Sequence, residues 1–316
     1  EPGGMSALID RKLVVVSGKG GVGRTTVAAA LARAAATAGK RVLVAGSGPT
    51  DRLGRLFGRP PLGTTVTSVA PGIDAVNMTP ESALHEYGLL ILRSELVTRA
   101  LFENRAARAF LNAVPGLDAY ALLGKAWWHT TETAAGRARY DLVILDGPAS
   151  GHSVLMLQTP DAILDAVPKG PLTRDAQAIA DLLRDPARSA LLIVTLAEEL
   201  PAREAAELCA TARQRLRMPL GPLIVNAVPP ADAAAPALAA LLDRAPPADG
   251  VDPALAATLH VARAARAHHA LAERVLADLR RSVDLPLLTL PRLPTVDVGP
   301  ADLAVLAAGL AAAPAI

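Results

Sequence analysis

The sequence is poor in the residues that staple a protein, charge it or bulk out its core. It holds a single cysteine, Cys209, which excludes an internal disulfide and any C-x-x-C metal motif and fits a reducing compartment. Neither sign of charge dominates: 32 basic residues face 30 acidic ones, for a net charge of +2. That balance gives no electrostatic case for nucleic acid, which needs a clustered basic face. Aromatics make up 3% of residues although 51% are apolar, so alanine, leucine and valine have to build the core. Long hydrophobic runs are missing as well. The first, Leu13–Val16, is too short for a secretory leader. The longest uncharged one, Leu303–Ile316, has 14 residues, short of the roughly 20 needed to cross a bilayer. A soluble, cytoplasmic protein is expected.

What is present is a strand–helix alternation. Short apolar runs at Leu13–Ser17, Val42–Ala45, Leu142–Leu145, Leu191–Leu196 and Leu223–Val225 read as strands, with Leu285–Leu290 a sixth and Ile73–Val76 a weaker candidate. Runs that are continuous rather than alternating predict strands covered on both faces, hence an α/β fold with a mainly parallel sheet sandwiched by helices. Helical periodicity marks Glu81–Leu101, Arg105–Val114 and Leu117–Ala135, then Val154–Leu183 and Ala254–Arg281. Residues 79–139 and 153–187 are expected to pack together as a helical insertion subdomain at one edge of the sheet. Ala231–Asp252 reads as a surface loop or short-helix connection. The four residues before Met5 read as an expression remnant and 1–10 as a tail, leaving 11–316 as a single domain.

The chemistry is concentrated in "SGKGGVGRTT", residues 17–26. It follows an apolar strand and opens a helix, the context of a phosphate-binding P-loop, G-x-x-x-x-G-K-[ST]. Gly18, Gly20, Gly21, Val22 and Gly23 supply backbone N–H groups that curl around an anion at a helix N-terminus. Thr25 is placed to hold Mg²⁺ through its hydroxyl and Thr26 to touch the α-phosphate. The same glycines also fit G-x-G-x-x-G, but a dinucleotide site wants an acid at the end of the next strand, and that strand ends "LVAGSG". One P-loop position departs: Arg24 stands where lysine is expected. Guanidinium keeps the charge but is broad and planar where ammonium is compact.

Lys19, inside "GKGG", marks the deviant P-loop class that includes the nitrogenase iron protein, the ParA/MinD partition ATPases and the ArsA-type ATPases. Within it, "LVILDGPASGHSVLML" (142–157) resembles the second switch of the ArsA-type and tail-anchored-protein-targeting ATPases, with Asp146, Gly151 and His152 matching position by position. "VTLAEELPAREAAEL" (194–208), "PLIVNAVPP" (222–230), "PGLDAYALLGKAW" (115–127) and "LPRLP" (290–294) are similar to further ordered segments of that family. The resemblance runs from about Lys12 to near the C-terminus and implies a single P-loop ATPase domain that binds ATP or ADP with Mg²⁺. It implies that Lys19 reaches a partner subunit's phosphates and that Asp146 supports the metal. Gly151 would let the second switch respond to the γ-phosphate, Asn226 would read the adenine edge, and Pro291, Arg292 and Leu293 would close over the base. Lys19 and Asp146 are thus the expected catalytic pair.

The first switch departs from the family pattern. In "AGSGPTDRL" (45–53) Pro49 fixes the register, so Gly48 stands where an aspartate would position the attacking water, and Asp51 falls at a histidine position. Together with Arg24 this predicts a nucleotide-binding subunit of weak or partner-dependent hydrolysis, in a homodimer or in a heterodimer with an ATPase paralogue. Two alternatives stand beside it: a fully active dimeric ATPase driving a client or membrane partner, and a ParA/MinD-like positioning protein. The thiols of metalloid transport and the structural zinc of the eukaryotic targeting members have no counterpart here. Trp127, Trp128, Phe102 and Phe110 are expected in the subdomain core, and His268–His269 as an exposed helix pair without a ligand role.

Overall fold

The computed structural model describes residues 5–48, 51–92, 104, 116–230, 236–244, 252–295 and 297–312. Among them an eight-stranded sheet runs through the molecule. Its strands are β1 (Leu13–Gly18), β2 (Val42–Gly46), β3 (Thr67–Ala70), β4 (Ile73–Asn77), β7 (Leu142–Asp146), β8 (Ser189–Leu196), β9 (Leu223–Val228) and β10 (Leu287–Pro291), in the order β10-β9-β8-β1-β7-β2-β4-β3. Every pairing is parallel except β3 with β4. A separate two-stranded ribbon joins β5 (Thr133–Ala134) to β6 (Arg137–Ala138).

The apolar runs alternate between two buried faces. Leu13, Val15, Leu43, Leu145 and Ile193 point into one apolar cluster, and Val14, Val16, Val44, Ile144 and Leu192 into the other. Helices cover both, which is why neither strand face is polar. On the second face lie α1 (Met5–Ile9), α2 (Arg24–Thr37), α3 (Leu53–Leu56) and α11 (Pro300–Ala312). Alanine-rich α2 has high helix propensity and side chains short enough to pack on the sheet and on α11 at once; Val27 through Ala32 are fully buried. The first face carries α4 (Pro80–Leu92), α5 (Leu117–Thr131), α6 (Ser150–Ala166), α7 (Pro171–Arg184), α8 (Glu199–Arg215) and α10 (Pro253–Ser282), while α9 (Pro236–Arg244) packs on α10.

Several expectations change in detail. The helices of 79–139 and 153–187 do pack on one another, but Tyr120, Leu123, Met156 and Ile179 share one cluster with Leu13, Val15 and Leu145 of the central strands. They therefore cover a face of the sheet instead of standing at its edge. Val154–Leu183 is two helices, broken at Val167–Gly170, where Pro168 and Gly170 interrupt the backbone and Pro171 restarts it. The helix expected to Ala135 ends at Thr131, and Ala135 turns the ribbon with φ +51°. Within the stretch read as a tail, Met5–Ile9 is a short helix whose Leu8 is buried. Arg105–Val114, Phe102, Phe110 and Pro49 lie outside the described residues. No described helix is long and apolar enough to cross a membrane.

Candidate functional site

Three neighbouring parallel strands end together, with Gly18 of β1, Asp146 of β7 and Gly46 of β2 at their carboxyl ends. The chain leaves β1 toward one face through α2 and leaves β7 toward the other through α6. Such a point of reversal opens a crevice at the strand ends, the place where open α/β sheets bind ligands.

The glycine loop fits this crevice because two of its positions admit no side chain. Gly18 has φ +151°, and a Cβ there would stand 2.3 Å from the Val194 carbonyl oxygen; at Gly23, φ +87°, it would stand 2.2 Å from Asn226 Nδ2. Gly23 is the left-handed cap of α2, and Val27 N–H already donates to its carbonyl. The turn and the start of the helix are thus fixed by sterics before any ligand arrives.

Beside the loop lies a cavity of about 370 Å³, lined among others by Gly20, Gly21, Arg24, Thr25, Ser47, Gly48, Asp51, Arg52, Asn77 and Asp146. Asp146 is its chemical centre. Its Oδ2 accepts the Thr25 hydroxyl at 2.6 Å, while its buried Oδ1 has no partner. Burial pushes the carboxyl upward from the ordinary range, against the pull of the Thr25 hydroxyl and of the charges on Arg24 and Arg52. A buried carboxylate oxygen without a donor is costly, and with a hydroxyl beside it forms an oxygen-only set suited to a hard cation. Ser47 Oγ donates to the Asp146 carbonyl at 2.7 Å and ties the end of β2 to β7.

Arg24 occupies the position of the loop cation, but its guanidinium donates to the Gly147 carbonyl at 2.5 Å. Burial lowers its pKa, opposed by the charge of Asp146; an arginine stays protonated regardless. Gly48 is half-buried and brings no acid to the cavity. Asp51 is near but engaged: its Oδ1 accepts from Leu53 N–H at 2.9 Å and its Oδ2 from Leu62 N–H at 2.5 Å, with Gly54 N–H shared between them. Lys19 projects from the loop, half exposed, with Nζ 2.6 Å from Glu204 Oε1 of α8.

A second hollow of about 250 Å³ continues from the loop past Val22 and Gly23 to Ala197, Glu198, Asn226, Pro229, His268 and Arg292. Asn226 is buried and its Nδ2 donates to the Val22 carbonyl at 2.9 Å, so it braces the loop as well as facing the hollow. Of the three residues expected to close over a base, Arg292 lines the hollow, held there by its N–H on the Val228 carbonyl. Pro291 ends β10 exposed, and Leu293, past the end of the strand, packs partly buried against the apolar layer under α11. His268, expected to have no ligand role, lines the hollow from α10. Gly151 and His152 sit exposed in the first turn of α6 and do not line the cavity; Thr26 is half-buried in the first turn of α2. Arg52 and Asn77 were not singled out from the sequence, since only the fold brings the ends of β2 and β4 to the loop.

The sequence pattern of the anion-transporting ATPases matches residues 11–170, just over half of the chain. ATPase BagA of Mycobacterium tuberculosis is 29% identical over 227 residues, which is 70% of this chain and 66% of that protein. An arsenical pump-driving ATPase of Escherichia coli is 28% identical over 254 residues, 72% of this chain and 41% of that one. An uncharacterized Streptomyces coelicolor protein, SCO2128, is 34% identical over 159 residues, 49% of this chain and 39% of that one. The chain thus spans two thirds or less of the relatives it matches.

Proposed function

The chain belongs to the anion-transporting ATPase family, and from that premise we propose that it is an ATP-binding, nucleotide-switched subunit whose own hydrolysis is weak. The observation that carries this reading is the distribution of carboxylates around the cavity. Its described lining holds two acids, Asp146 and Asp51. Asp146 is bonded to Thr25, and both oxygens of Asp51 accept backbone N–H groups. Asp51 is committed to the backbone, Asp146 with its bare Oδ1 is the carboxylate that with Thr25 would hold the metal, and Gly48 supplies no acid to take a proton from an attacking water.

The binding half is better furnished. Gly20, Gly21 and Gly23 and the start of α2 present N–H groups and a positive helix end to phosphates. Thr25 and Asp146 would hold Mg²⁺, which would supply charge neutralisation to the phosphates. Asn226 and Arg292 line the hollow in which a base would lie. Loss of a general base alone lowers rates by about 10²–10⁴. An arginine turned toward Gly147 adds to that loss, because phosphoryl transfer depends on positioned charge.

Dimer formation through the nucleotide, with Lys19 donated to a second subunit, is part of the same proposal. Lys19 is held by one half-exposed ion pair, a contact of about 0–1 kcal/mol that a phosphate competes away. Gly48→Asp combined with Arg24→Lys tests the reading through steady-state ATP hydrolysis. Near-background turnover by the unmodified chain and a gain of at least about tenfold in the double variant are expected. Robust turnover by the unmodified chain alone contradicts it.

A further inference from the structure

Arg52 is a cation at the cavity mouth whose guanidinium makes no hydrogen bond or ion pair among the described residues. It is exposed, yet it is not on a loose segment. Asp51, next to it, ties Leu53 N–H, Gly54 N–H and Leu62 N–H together, closing residues 51–62 into a braced loop. Leu53, Leu56 and Phe57 of that loop are buried beneath it. Gly54 is pressed against Pro60, where a Cβ would meet the carbonyl oxygen at 2.3 Å. The Arg52 backbone is therefore braced while its side chain has no hydrogen-bond or ion-pair partner among the described residues. Its charge is felt by both Arg24 and Asp146 across the cavity.

We propose that Arg52 contacts the terminal phosphate of a bound nucleoside triphosphate and sets the preference of this site for triphosphate over diphosphate. The proposal rests on the nucleotide-binding reading above. Gly20, Gly21, Arg24 and Thr25 of the glycine loop and the start of α2 form one wall of the cavity, and Gly46, Ser47, Gly48, Asp51, Arg52 and Leu53 line a second. A phosphate chain whose inner groups sit in the backbone N–H cradle extends its last group into the cavity, within reach of that second wall. Gly48 there offers no side chain and Asp51 is committed to backbone, so Arg52 is the ionised group of that wall free to bind an anion. Guanidinium suits the task, with paired donors that match phosphate oxygens.

Calorimetric titration of a slowly hydrolysed thio-substituted ATP and of ADP, each with Mg²⁺, separates the outcomes. Arg52→Ala is expected to weaken the triphosphate by about tenfold, the scale of one solvent-exposed charge-assisted hydrogen bond, and ADP by no more than about twofold. Arg52→Lys should recover part of the loss. Arg55→Ala removes an equal charge from α3, where Arg55 pairs with Asp297 away from the cavity, and should leave both affinities within about twofold. Equal loss for both nucleotides in Arg52→Ala, no loss in either, or the same loss in Arg55→Ala overturns the assignment while leaving nucleotide binding intact. Failure of the unmodified chain to bind either nucleotide overturns the proposed function and this inference with it.

Discussion

Asp146 is buried with one oxygen bonded to Thr25 and the other bare, an arrangement that no stability argument favours by itself. A few residues away, the crowding of Gly23 against Asn226 shows how tightly the surrounding loop is set. Gly23→Ala introduces a Cβ at φ +87°, 2.2 Å from Asn226 Nδ2. It should lower unfolding free energy by about 2–3 kcal/mol, from left-handed backbone strain plus the loss of the Asn226–Val22 bond. A urea midpoint unchanged from the parent would contradict that. The meeting of the glycine loop, Thr25 and Asp146 at one cavity was legible in the sequence, the loop from its fixed spacing and Asp146 from the family resemblance of the segment that carries it. Arg24 was legible as a substitution, but its turn toward the Gly147 carbonyl was not, since the choice among partners depends on where β7 ends. Asp51 could be placed near the first switch by register; its capture by three N–H groups depends on a loop closing eleven residues later, at Leu62.

At the scale of elements, α5 carries a group whose protonation opposes folding. His129 is buried, its Nδ1 lies 2.6 Å from Glu132 Oε2, and its Nε2 has no partner. Trp128 and Tyr140 pack their rings against it. Burial lowers its pKa below the ordinary histidine value, with Lys125 adding to the shift while Glu132 and Glu86 oppose it. The unfolded chain therefore takes up a proton more readily than the folded one. Folding stability should hold above about pH 6.5 and fall as pH drops from there toward the lowered folded value. Replacing His129 with phenylalanine should flatten the dependence of the denaturation midpoint between about pH 7.5 and 5; an equally steep curve in the variant would contradict it.

Elements also divide by how far their sequence signals carried. Strands buried on both faces announced themselves as unbroken apolar runs. By contrast, β3 reads TSVA, half exposed and antiparallel at the sheet's edge, and gave no such signal. The stretch from Leu303 showed its apolar character but not its place, which α11 finds against α2. His268 reaches the second hollow from α10, more than forty residues beyond Asn226, a meeting that periodicity along one helix does not reveal.

For the whole molecule, the parallel sheet does one task above all: it brings Gly18, Gly46 and Asp146 to a single line of strand ends. Helices on both faces hold those ends still, and the chain's change of face between β1 and β7 leaves the cavity open above them. Under the proposed function, such a frame binds nucleotide while Gly48 brings no acid to the cavity for turnover. The most direct measurement is calorimetric titration of the unmodified chain with ATP, with and without Mg²⁺. Saturable binding that tightens with the metal is the expected result. No metal-dependent affinity for adenine nucleotides would contradict the central claim that Thr25, Asp146 and the glycine loop form a triphosphate site.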